Sequence, residues 1–208
     1  MPLTEEQPIL DRIPELPLDE RHLATKLRSR SLLAFNMLAE KLLRWCIDPH
    51  IRSYLLKMLG ATIGPNTRIN EVIFINIQDG FRNFHVGCNS HIGPGSVFDL
   101  VKRIEIGSRT LIAANCMILT HANPGYHLGS SLISRFPHER KEVRISNDCW
   151  IGPGAIVLCG VTIGNGVLVR PGAVISRPIP DGSIAEGNPA VITAQQTAPL
   201  PGRKNRLV

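Results

Sequence analysis

Aromatic side chains are scarce in this chain: two Trp, two Tyr and six Phe make up 5% of 208 residues. Its core must therefore be filled mainly by aliphatic side chains. No apolar run reaches membrane-spanning length and the N-terminus is acidic, so neither a transmembrane helix nor a signal peptide is expected. The expected location is the cytoplasm. The five cysteines (Cys46, Cys88, Cys116, Cys149, Cys159) are odd in number and follow no metal-ligand spacing, which favours buried thiols over a metal site. No dense Lys/Arg cluster with interleaved aromatics occurs, so nucleic acid is not an expected partner. Negative charge is also unevenly spent. Residues 1–20 carry six acids against Arg12 alone, so a net charge of +6 conceals +11 on the remainder. A basic body of that kind suits an anionic ligand or a membrane surface.

What the chain does have is a period of six. Ile145, Ile151, Val157, Ile163, Val169 and Ile175 recur at that interval, and four places after each stands Cys149, Ala155, Val161, Val167, Ala173 or Ile179. Six is neither the 3.6 of a helix nor simple strand alternation. It suits a coil with short strands as sides and tight turns as corners, closing after about eighteen residues. Gly, Asn and Asp between the aliphatic positions let the backbone turn. The fold class expected is an all-β solenoid with an N-terminal helical segment and one long extruded loop.

Taken in order, residues 1–18 are Pro-rich and acidic and read as an extended arm. Residues 19–60 read as a helical N-terminal cap. A helix starting near Asp19 carries an apolar stripe of Leu23, Leu27, Leu32, Phe35, Leu38, Leu42 and Trp45, with Arg and Lys between. Asp48-Pro49 breaks it, and a second short helix ends at Gly60. The stripe predicts either a cap over the open end of the coil or a basic amphipathic contact with a membrane. The solenoid occupies 61–192, with Ile75 and Phe81 in register, then slips at Val86 and before Ile106. Twenty-seven positions separate Ile118 from Ile145 where six would suffice, so a loop over 122–144 is extruded. Residues 193–208 form a basic C-terminal tail with Arg203, Lys204 and Arg206.

The run Ile145-Ser-Asn-Asp-Cys-Trp-Ile-Gly-Pro-Gly-Ala-Ile-Val, then Gly160-Val-Thr-Ile-Gly, then Ala185-Glu-Gly-Asn-Pro-Ala190, resembles the hexapeptide-repeat acyltransferases. Within them it is most similar to the O-acetyltransferases of sugars and surface polysaccharides. The resemblance implies a left-handed parallel β-helix, an exception to right-handed crossovers. It also implies a homotrimer, acetyl-CoA as co-substrate, a saccharide acceptor and no metal.

Acyl transfer from a thioester to a hydroxyl needs a base, and histidine is the natural one near neutral pH. His121 stands where the coil ends and the loop departs, the corner at which the resemblance places the catalytic histidine. The galactoside and maltose enzymes usually carry theirs two places later, where this chain has Asn123; His127 is the other candidate. Asp99, one coil away, is the acid nearest to orient the base. Asn89 and His91 fall where the family contacts its acceptor, and Asn123 and His127 complete the acceptor-binding set. Trp150 lies where family members line the coenzyme cleft, and matching extends that cleft to Gly152, Pro171, Ser176 and Arg177. Val191 replaces the basic residue that often holds the coenzyme phosphate, leaving Arg170, Arg177 or the basic tail to substitute. Two other readings compete: an inactive scaffold of the same fold, and a γ-type carbonic anhydrase-like metal hydrase using His85, His121 and His127.

Overall fold

The computed structural model describes residues 20–124 and 135–195, with side chains from residue 30 onward. The N-terminal arm, His127 and residues 196–208 of the basic tail lie outside the described residues.

Short parallel strands wind into three faces. Face A stacks Thr62–Ile63, Phe84–Val86, Ile104–Ile106, Val143–Ile145 and Thr162–Ile163. Face B stacks Arg68–Ile69, His91–Ile92, Leu111–Ile112, Trp150–Ile151, Leu168–Val169 and Ser183–Glu186. Face C stacks Ile73–Ile75, Val97–Asp99, Met117–Ile118, Ile156–Val157 and Val174–Ile175. The result is a left-handed parallel β-helix of five coils and a partial sixth. Val191–Gln195 folds back antiparallel on the last strand.

In the two-residue strands the second residue points inward: Ile69, Ile92, Ile112, Ile151 and Val169 are all fully buried down face B. The small residues of each hexad, among them Cys116, Cys149, Ala155 and Ala173, line the corners of the same core. Corners between faces A and B are turned by Asn66, Asn89, Arg109, Asp148 and Gly166, all at positive φ, where Asn, Asp and Gly are tolerated best. Arg109 is the misfit. Its guanidinium grips Asp148 of the next coil at 2.7 and 2.6 Å.

The first two coils depart from the expected register. Phe74, not Ile75, points into the prism, and Phe81 is buried from a turn rather than from a strand. Phe74, Phe81, Phe84 and Phe98 pack together, with Phe74 and Phe84 edge-to-face at 5.0 Å. Four rings need more room than stacked aliphatics, and the slips supply it.

The helices correct a second expectation. Helix α1 (Glu20–Trp45) lies on the first coil through Asn36, Ala39, Glu40 and Leu43, while Leu32, Phe35, Leu38, Leu42 and Trp45 are exposed. From Leu32 to Trp45 the apolar stripe thus faces outward. The edge of coil 1 presents unpaired peptide groups, and polar side chains are needed to meet them. Asn36 donates to the Ile77 carbonyl at 3.0 Å, and Glu40 accepts from the Phe74 amide at 3.4 Å. Helix α2 (Pro49–Met58) is capped by Asp48, whose side chain accepts from His50 N and Ile51 N. Its buried Arg52 donates to the carbonyls of Leu43, Cys46 and Ile69, tying both helices to the coil edge.

Coils stack so closely that a Cβ on Gly93 would lie 2.5 Å from the Ala113 carbonyl carbon and 2.7 Å from Ala114 N. At Gly154 the φ is +70° but nothing lies within 4 Å. Gly93→Ala is expected to cost more than about 2 kcal/mol and Gly154→Ala only about 1 kcal/mol. Denaturant unfolding of both variants checks the difference.

Candidate active site

Three successive coils meet at one C–A corner. Coil 1 contributes Asn76, coil 2 Asp99 and coil 3 Thr120 and His121. Asp99 is fully buried. Its Oδ2 accepts from the amides of Thr120 at 2.9 Å and His121 at 3.0 Å, and its Oδ1 from Asn76 Nδ2 at 2.8 Å. The His121 ring closes the cluster, with Nδ1 at 2.5 Å from Asp99 Oδ2. Burial works against the charged carboxylate, but hydrogen bonds from His121, Asn76 and Thr120 outweigh it and hold the Asp99 pKa below the ordinary carboxylate value. A carboxylate against Nδ1 fixes the proton there and leaves Nε2 as the acceptor, on a ring that is part-exposed. The Thr120 hydroxyl turns to the backbone, donating to the Asp99 carbonyl at 2.7 Å.

Beyond His121 the chain leaves the prism. His121–Ala122 pairs antiparallel with Glu139–Arg140, so the two roots of the loop are zipped together. Next to this ribbon a cavity of about 560 Å³ is lined by Asn123, Pro124, Arg135, Phe136, Pro137 and Glu139, among others. The Asn123 Oδ1 is enclosed there without a hydrogen-bond donor among the described residues. Asn123 is thus beside the dyad, facing an acceptor-sized space.

Asn89 and His91 are not. Asn89 turns the A–B corner at φ 56°, its Oδ1 accepting from Asn66 Nδ2 at 3.3 Å. His91 sits on face B with Asn70 Nδ2 donating to its Nε2 at 3.1 Å. Burial, then Arg68, lowers its pKa, so it is neutral near pH 7.

The expected coenzyme residues divide into two groups. Trp150 lies half-buried on face B between Leu111 and Leu168, and Gly152 and Pro171 follow at the B–C corner. Gly152 has no room for a side chain, since its Cβ would meet Pro171 N at 2.6 Å. Ser176 and Arg177 are exposed at the C–A corner, across face C. They are in line with the dyad: Leu119 N donates to Val157 O and Leu158 N to Ile175 O, which stacks Leu119, Leu158 and Ser176 on successive coils. Between them Cys159 donates its thiol to Glu139 Oε2 at 3.6 Å. Arg170 is held by Glu186 at 2.6 Å, whereas Arg177 has no ion pair among the described residues.

Asn76, Cys159 and Glu139 escaped the sequence reading. Asn76 follows Ile75, whose assumed inward register hid the corner. Among the described residues no three His, Cys, Asp or Glu side chains gather to hold a metal. His85 lies mid-face A opposite Glu105, away from the His121 corner.

The bacterial transferase hexapeptide (six repeats) family matches residues 142–177. Beyond that segment the chain is similar to proteins named as sugar O-acetyltransferases. It is 28% identical to a galactoside O-acetyltransferase of Lactococcus lactis over 70% of this chain and 68% of that one. With the Escherichia coli galactoside O-acetyltransferase it shares 26% over 66% of this chain and 65% of the relative. Among solved structures, a maltose O-acetyltransferase from Clostridium difficile superimposes with a TM-score of 0.62 at 26% identity, covering 78% and 84% of the two chains. A galactoside acetyltransferase in complex with coenzyme A gives 0.64 at 22% identity, covering 91% and 92%.

Removing the Asp99 carboxylate strands buried donors at Thr120, His121 and Asn76. Asp99→Ala is expected to destabilise the fold by about 3 kcal/mol or more. Because the native pKa is lowered, the stabilisation is complete above the unfolded value of about 3.9 and lost as pH falls through the native one. Unfolding measured against pH should show this acid loss in the parent and not in Asp99→Ala.

Proposed function

We propose that this protein transfers an acetyl group from acetyl-CoA to a hydroxyl of a saccharide, with His121 as general base. The observation that carries the reading is the 2.5 Å contact between His121 Nδ1 and buried Asp99, which leaves Nε2 as the acceptor of a ring two residues before Asn123 of the loop cavity. Relatives named as galactoside O-acetyltransferases, and a structural neighbour binding coenzyme A, support the substrate pair.

In this reading the acceptor hydroxyl lies in the cavity beside Asn123 and gives its proton to Nε2 as its oxygen attacks the thioester carbonyl. Asp99 steadies the imidazolium that forms. Collapse of the tetrahedral adduct breaks the carbon–sulfur bond, and the imidazolium returns its proton to the leaving thiolate. No enzyme nucleophile intervenes. Cys116 and Cys149 point their thiols inward to the carbonyls of Gly152 and Gly164, and burial raises both pKa values.

The pantetheine arm runs down the C–A corner toward Ser176 and Arg177. Trp150, Gly152 and Pro171 face away from this corner in their own chain. We place them on the neighbouring subunit's side of a homotrimer seam, so that each site is completed by two chains. The enzyme works in the cytoplasm, and its N-terminal helices touch the inner face of a membrane. Among the described residues no helix is long and apolar enough to cross one.

His121→Ala is expected to lower turnover by about 10²- to 10⁴-fold with coenzyme affinity unchanged. Trp150→Ala should weaken coenzyme binding by about tenfold or more. At a coenzyme concentration too low for Trp150→Ala to bind, mixing the two variant subunits in equal amounts should restore activity in about a quarter of the sites if sites are shared. Turnover retained in His121→Ala would remove the base, and no recovery on mixing would remove the seam.

A further inference from the structure

The end of the prism that α1 and α2 cover has two chemically different faces. Toward the coil it offers polar groups: Asn36, Glu40, Arg52 and Ser53 meet the free peptide groups of Ile77, Phe74, Ile69 and Thr67. In a β-helix those free groups point along the axis, so the opposite face of the helices looks away from the coil along that axis. That face is apolar. Leu42 is 62% exposed, Tyr54 62% and Met58 72%, and at the turn between the helices Trp45 reaches 85% and Ile47 94%. Scattered exposed apolar residues need no explanation, but a contiguous face of this kind marks a docking surface.

Its charge identifies the occupant. Residues 30–59 contain Arg30, Lys41, Arg44, Arg52 and Lys57 against only Glu40 and Asp48. Glu40 is buried and paired with Arg44 at 2.8 Å, and Asp48 is engaged in capping α2. Arg52 is buried against the coil and Arg44 is paired with Glu40, which leaves Arg30, Lys41 and Lys57 as the cations of the rim. A second copy meeting this face head-on would bring like charges together. An acidic lipid surface would meet apolar area with hydrocarbon, the Lys and Arg rim with phosphate, and Trp45 and Tyr54 with the headgroup boundary.

We infer that this end of the prism is a docking face for an anionic bilayer, with the Trp45-Cys46-Ile47 turn as its inserted tip. The inference deepens the membrane contact proposed above and rests on the acyl-transfer reading only for the acceptor it implies. His121 lies two coils inward, about 10 Å, beneath a helix layer of about another 10 Å. A site held about 20 Å above the headgroups suits a saccharide of several units carried on a lipid. Prisms packed side by side in a trimer would leave all three apolar ends in one plane, so the contacts would reinforce one another.

Flotation of the full chain with vesicles tests this. Phosphatidylcholine mixed with phosphatidylglycerol should bind about tenfold or more tightly than phosphatidylcholine alone, and salt should weaken the difference. In a Trp150→Phe chain the remaining Trp45 emission should shift to the blue on binding. Leu42→Glu and Ile47→Glu sit at exposed positions, so the melting temperature and coenzyme A release with a free saccharide should be unchanged while vesicle binding falls about tenfold or more. Absence of binding, or binding indifferent to Ile47→Glu, overturns the inference. So does a particle of twice the trimer mass that Ile47→Glu splits, which would make a second copy the occupant. Vesicle binding requires no catalysis, so an inactive protein that still floats would remove acyl transfer and leave the docking face standing.

Discussion

The strands of this prism hydrogen-bond along its axis, to the coil before and the coil after. That requirement closes the flanks and concentrates the difficulty at the two ends, where one coil has no neighbour. At the C-terminal end the strand Val191–Gln195 doubles back and fills part of the open edge. At the N-terminal end, among the described residues, the edge is met by side chains from two helices. Arg52 shows what this demands: a residue 3% exposed whose guanidinium is satisfied by three backbone carbonyls. Two of these carbonyls belong to the end of α1, where a cation is favoured by the helix dipole.

The same stacking builds the candidate site. Positions equivalent on successive coils stand about 4.8 Å apart, close enough for one side chain to span two coils. Asp99 exploits this in both directions, reaching back to Asn76 and forward to Thr120 and His121. Its charge is sustained by directed donors in a place where burial alone would neutralise it. The dyad is thus a product of the solenoid itself, and only the cavity next to it depends on the loop.

How much of this the sequence disclosed varied along the chain for identifiable reasons. From Ile145 to Ile179 the period is unbroken because aliphatic side chains of similar size fill a prism of constant width, and every inward position was legible. Around Phe74 and Phe81 four rings widen the prism and the turn lengthens, so counting by six assigned Ile75 inward wrongly. The apolar stripe of α1 was visible but its direction was not. Amphipathic helices ordinarily bury such a stripe, and the reversal follows from the coil edge needing Asn36 and Glu40. His121 and Asp99 were legible as neighbours because eighteen-odd residues return to the same corner. Asn89 and His91, matched to the acceptor positions of the family, stand at the A–B corner and on face B, away from the Asp99–His121 corner of their own chain. Which groups share a corner depends on the slips, and these are set by packing.

The point at which the loop departs has a mechanical meaning. After the excursion the chain re-enters with Val143 opposite Ile104 and Ile145 opposite Ile106, the pairing a continuous coil would give. The prism therefore carries no memory of what was inserted, since ribbon His121–Ala122 with Glu139–Arg140 gathers the two strands of the excursion before they rejoin it. A segment mounted in this way can lengthen, shorten or change its chemistry without shifting a single core register. The scaffold then behaves as a socket. The Asp99–His121 corner belongs to the coil, while the excursion beside it is free to drift from one descendant to the next.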